Sequence, residues 1–150
     1  MDASHDRGIT RFAILEVPVD VQVKISGTPQ TTGQQLLQLR RIIQLIFQDS
    51  NVEKIVRLYG STVSWDTLYK VFEVIRGDAG SLIEDLKWRS KAQQRRFTQT
   101  AQSPQIIGDE ARHGYQKQEP PKKPMTLQQA SDLITQLTHR WIEHKLSHHS

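Results

Sequence analysis

The 150-residue chain contains no cysteine. That excludes a disulfide framework, a thiolate nucleophile and any zinc site built on sulfur. Long apolar runs are also missing: the longest span a few residues, against the roughly 18 or more needed to cross a bilayer. Aromatic residues are sparse at 7%. No glycine-rich phosphate loop, G-x-S-x-G nucleophile elbow or H-E-x-x-H metal motif occurs. These gaps predict a protein without metal or other cofactor and without a membrane partner. The opening residues, MDASHDRG, lack the basic start and apolar core of a secretory signal, so a cytoplasmic, bacterial-type protein is expected.

What is present suits one domain, since a chain of this length buries roughly two-thirds of the surface that its unfolded form exposes. The net charge of +4 is unevenly spread. Residues 1–50 carry five basic and five acidic side chains, residues 51–86 four and six, and residues 87–150 eleven and five. The basic C-terminal half would serve an acidic protein or a nucleic acid as partner, although interleaved charges of both signs also make an ordinary solvated surface.

Hydrophobic spacing divides the chain further. Residues 1–9 read as a disordered leader and 147–150 as a disordered tail. In residues 12–25, Val17, Val19, Val21, Val23 and Ile25 alternate with polar positions, the period of a strand with one buried face, and Pro18 makes it an edge or broken strand. Residues 32–49 follow helical spacing through Leu36, Leu39, Ile43 and Ile46, with a stripe wide enough to predict a central helix. Further helices are expected at 52–59 after Ser50, at 65–76 after Ser64, at 81–88 and at 90–102. The last of these is polar, with only Ala92, Phe97 and Ala101 facing a core. An extended connection at 115–125 leads to a final helix whose entry carries a capping-box pattern, Thr126 with Gln129. The expected fold class is mainly α: a single-domain bundle of four or five helices over residues 10–146 with a small N-terminal β element.

Residues 95–114, RRFTQTAQSPQIIGDEARHG, concentrate side chains that folding alone does not require. Arg95, Arg96, Thr98, Asp109, Arg112 and His113 are the candidate ligand-binding residues. A guanidinium clamps phosphate or carboxylate, and an imidazole titrates near neutrality. Arg112 and His113 are adjacent, so they converge only in an irregular turn. The plainer reading pairs Arg112 with Asp109 or Glu110 and ties His113 to local backbone. His144 and His148 share a helix face but lack a third ligand. Glu73, Asp78, Glu84 and Asp85 carry no sign of acid-base pairing.

The segments WDTLYKVFEVIR, RRFTQTAQSPQIIGDEARHG and PPKKPMTL resemble a widespread group of small bacterial proteins without an assigned activity. The resemblance covers residues 65–142 and implies no chemistry. The helical order and the Arg-His pair are also faintly similar to HEPN-type helical domains, many of which are ribonucleases. That similarity implies His113 as acid or base and Arg112 as stabiliser of negative charge. Those enzymes separate Arg from His by a longer gap, however, whereas Arg112 adjoins His113 and only three residues lie between Arg140 and His144. The leading expectation is therefore a non-catalytic binding or accessory module with a basic recess for an anionic partner. The alternative is a HEPN-like ribonuclease or phosphotransfer-type enzyme using His113 and Arg112.

Overall fold

A computed structural model describes residues 33–111 and 119–148 of the chain. The described residues are mainly α-helical: α1 Gly33–Gln48, α2 Ser50–Tyr59, α3 Trp65–Ala79, α4 Leu82–Asp85, α5 Lys91–Ala101, α6 Pro104–Ile107 and α7 Leu127–His148, with one 3-10 turn at Gly108–Glu110. The count among them is seven rather than the four or five expected, because α4 and α6 are separate single turns. No strand occurs among the described residues, and the strand expected at 12–25 lies outside them.

Local chemistry explains the helix ends. The Asp49 carboxylate accepts from the amides of Asn51 and Val52 at 2.9 and 3.2 Å, so Asp49, not Ser50, caps α2. Ser64 caps α3 through the Thr67 amide, and Gly80 ends α3 at φ 54°, ψ −124°, a conformation open to glycine alone. Thr126 and Gln129 form the expected reciprocal cap of α7, with bonds of 3.1 and 3.2 Å.

The core is organised around α3 rather than α1. Leu68, Val71, Phe72 and Ile75 of α3 are buried, as are Ile134, Leu137 and Trp141 of α7, and α3 packs against α2, α4, α5 and α7. Each such side chain contributes roughly 1.5–3 kcal/mol by leaving water. Phe97 from α5 sits among α3 rings, 5.4 Å from Phe72, 6.0 Å from Tyr69 and 6.2 Å from Trp65. Ala92, expected beside it in the core, is exposed, and Thr100 is buried instead. The expectation of a central helix at 32–49 is overturned: α1 buries only Leu45, and Leu36, Leu37, Ile43 and Phe47 are exposed.

An ion-paired cluster closes one end of the bundle. The Lys145 ammonium lies 2.5 Å from Asp49 and 2.8 Å from Asp78, with all three side chains no more than 21% exposed. Asp78 also accepts from the Trp141 indole at 2.8 Å and from the Asn51 side-chain Nδ2 at 2.8 Å. Burial alone would raise both carboxyls, but the hydrogen bonds from Lys145 and their other donors, with the ammonium charge, outweigh it and hold both below their ordinary 3.8. Burial would likewise lower Lys145, and its two carboxylate partners reverse that and raise it.

The depressed carboxyls contribute stability that is present above pH 3.8 and lost as the pH falls through their folded values. The raised lysine contributes stability that is present below pH 10.5 and lost as the pH rises through its folded value. Lys145→Met leaves two facing carboxylates and should cost about 3 kcal/mol at neutral pH. It should also flatten or invert the fall in stability on acidification below pH 5, measured by urea unfolding across pH.

Candidate anion-binding recess

The C-terminal end of α4 is built as a Schellman turn. The Trp88 amide donates to Ile83 at 3.0 Å and the Lys87 amide to Glu84 at 3.1 Å, while Ile83 and Trp88 are both buried. The residue between these turns backwards is Lys87, at φ 52° the one non-glycine residue in the left-handed region among those described. Glycine is the usual occupant of that position, and a side chain there costs roughly 1 kcal/mol. The turn directs the chain into Arg89 and then Ser90, whose hydroxyl caps α5 through the Gln93 amide at 3.1 Å.

Between α4 and α5 lies a recess of about 350 Å³ lined by Glu84, Lys87, Arg89, Ser90, Lys91 and Gln94. Arg89 is its distinctive member. Its guanidinium is half-buried, stands 5.2 Å from the centre of the Phe72 ring and donates to the Gln94 side-chain oxygen. Its Nε is buried without a hydrogen-bond partner. Burial, with Arg76 nearby and despite Glu84, brings its pKa down to about 10. Such a group is charged at neutral pH but incompletely satisfied, an unusual state for a half-buried cation. Lys91 pairs with Glu84 at 3.3 Å, yet both side chains are more than half exposed, so that pair is worth little. Three cations against one carboxylate leave the recess positive.

The residues expected to form a site do not gather in one place. Arg96 donates to the carbonyls of Lys123 and Pro124 at 2.6 and 3.0 Å and to Gln129 at 3.1 Å. It therefore clamps the extended connection at the entry to α7, aided by Thr100, which accepts from the Met125 amide at 3.1 Å. Thr98 turns its hydroxyl back to the carbonyls of Gln94 and Arg95 at 3.1 Å. Asp109 is exposed in the 3-10 turn. Arg95 is exposed on α5, one turn beyond Lys91, and so continues the cationic edge of the recess. Arg112 and His113 lie outside the described residues. The neighbouring Glu110 carboxylate stands 3.4 Å from the Trp65 amide at the start of α3.

Lys87, Arg89 and Lys91 stand just upstream of the residues expected to form the site, and it is they that line the recess. The available signal was the run KWRSK, three cations within five residues just before a capping serine; its convergence needed the Schellman turn. No family model, curated protein or solved structure matches the chain.

Two stability outcomes follow from this geometry. Lys87→Gly should raise the unfolding free energy by about 1 kcal/mol, because glycine carries no penalty at that φ. Arg96→Ala should lower it by about 1–2 kcal/mol and speed hydrogen exchange at the Met125 amide, since two hydrogen bonds to the connection and one to Gln129 of α7 are lost.

Proposed function

We propose that this protein is a non-catalytic binding module whose recess takes a backbone phosphate of a nucleic-acid partner. The observation that carries the reading is Arg89, a half-buried guanidinium seated on Phe72 that lines a recess with Lys87 and Lys91. Phosphate offers several acceptor oxygens and full negative charge to a planar fork of donors. Phe72 beneath the guanidinium fixes its plane before a ligand arrives, which lowers the ordering cost of binding.

Three further features support a polyanion over a small free anion. The lining residues Glu84, Lys87, Ser90 and Lys91 are exposed, Arg95 extends the positive edge, and residues 87–150 hold the basic surplus of the chain. The strained turn at Lys87 fits the same reading, because it keeps a cation where stability favours glycine. The alternative of a ribonuclease or phosphotransfer-type enzyme rests on His113 and Arg112. Both lie outside the described residues, and no described geometry favours it.

Fluorescence anisotropy with a single-stranded RNA oligonucleotide tests the proposal. Arg89→Ala should weaken binding about tenfold, equivalent to about 1.4 kcal/mol. Lys87→Gly should weaken it too and lower the salt slope by about 1, while making the protein more stable. The reading fails if both variants bind like the parent, or if a polyglutamate peptide binds and RNA does not.

A further inference from the structure

Helix α5 has two unlike sides. At about 100° per residue, Phe97, Thr100 and Ala101 fall together and are buried. Lys91, Ala92, Arg95 and Gln99 span an arc of about 100° on the opposite side, the first three exposed and Gln99 half-buried. The whole helix, KAQQRRFTQTA, carries no acid.

A basic edge borders this outward arc on each flank. On one flank Arg89 of the recess donates to Gln94, with Lys87 beside it. On the other, Arg96 donates to the carbonyls of Lys123 and Pro124 at 2.6 and 3.0 Å, which lays the exposed Lys122 and Lys123 along that side of the helix. The acids that stand against these cations are Glu84 in the recess and Glu119 in the connection.

We infer that α5 enters the major groove of double-stranded DNA, with its two basic edges on the phosphates of the two strands. The inference rests on the recess as a phosphate site and adds a second edge to it. Dimensions select the groove. An α-helix with its side chains is about 10–12 Å across, which fits a major groove about 12 Å wide and not a minor groove of about 6 Å. A single strand offers one row of phosphates and so occupies one edge; a duplex offers a row on each side of the groove. Duplex RNA fits poorly, because its major groove is too deep and narrow for side chains to read. The chemistry of the outward arc agrees. Arg95 and Gln99 stand one turn apart and are the side-chain types that pair bidentately with the edges of guanine and adenine, and Ala92 suits the thymine methyl.

The test compares the full chain on a mixed-sequence DNA duplex of about 20 base pairs, two helical turns, with a single-stranded RNA oligonucleotide. The duplex should bind about tenfold tighter. Lys122→Ala with Lys123→Ala keeps the backbone carbonyl that Arg96 holds. It should lower the salt slope on the duplex by about 2 and leave RNA binding unchanged. Under dimethyl sulfate, bound protein should protect guanine N7, in the major groove, and leave adenine N3, in the minor groove, reactive. Equal affinity for duplex and single strand, an unchanged slope in the double variant, protection of adenine N3 instead, or duplex RNA bound as tightly as duplex DNA overturns the inference. Arg89→Ala separates it from the recess reading. If that variant weakens RNA binding while the duplex fails these tests, the recess stands and the groove role of α5 falls; if it weakens neither, both fall.

Discussion

The bundle is held in register by one ammonium group. Lys145, near the end of the last helix, reaches the carboxylate that begins α2 and the one near the end of α3. Asp49 caps α2 through one carboxylate oxygen and receives Lys145 on the other, so moving the α1–α2 corner away from α7 takes the ammonium from a mostly buried carboxylate. Asp78 adds the Trp141 indole, joining the most deeply buried ring of α7 to α3. A hydrophobic interface alone tolerates sliding, because burial is non-directional. Charged hydrogen bonds of defined geometry do not, and removing Lys145 leaves two desolvated carboxylates behind.

A second chain of contacts runs from the core to the recess. Phe97 packs on Phe72, and Phe72 carries the guanidinium of Arg89. The same ring is thus a core member on one side and a platform on the other. Arg89 reaches this position because α4 ends in a turn that places Trp88 inward. Lys87 bears the conformational cost of that turn. Stability and surface charge therefore compete at a single residue, a pattern more often found where a side chain serves a ligand than where it serves the fold.

The elements with strong local signals were legible from residue spacing. Ser64 and the aromatic face behind it gave α3, and Thr126 with Gln129 gave the start of α7, because caps and amphipathic stripes act over a single turn. The role of α1 was not legible. Its stripe is as apolar as that of a core helix, and spacing alone does not say which surface lies opposite. Arg96 misled in the other direction. Its position in a polar helix suggested a ligand, but the extended connection passes within reach and occupies its donors.

The sequence by itself determined the helical class, most helix starts, the lack of sulfur chemistry and the basic bias of the C-terminal half. All follow from composition or from contacts a few residues apart. Tertiary structure decided which helix is central, that Asp49, Asp78 and Lys145 meet across 29 to 96 positions of chain, and that Arg89 lines a positive recess while Arg96 is taken up by the connection. Those outcomes depend on which faces meet after the chain has folded back on itself, and on which polar groups find partners once water has left. Neither is encoded in the spacing of residues along one element.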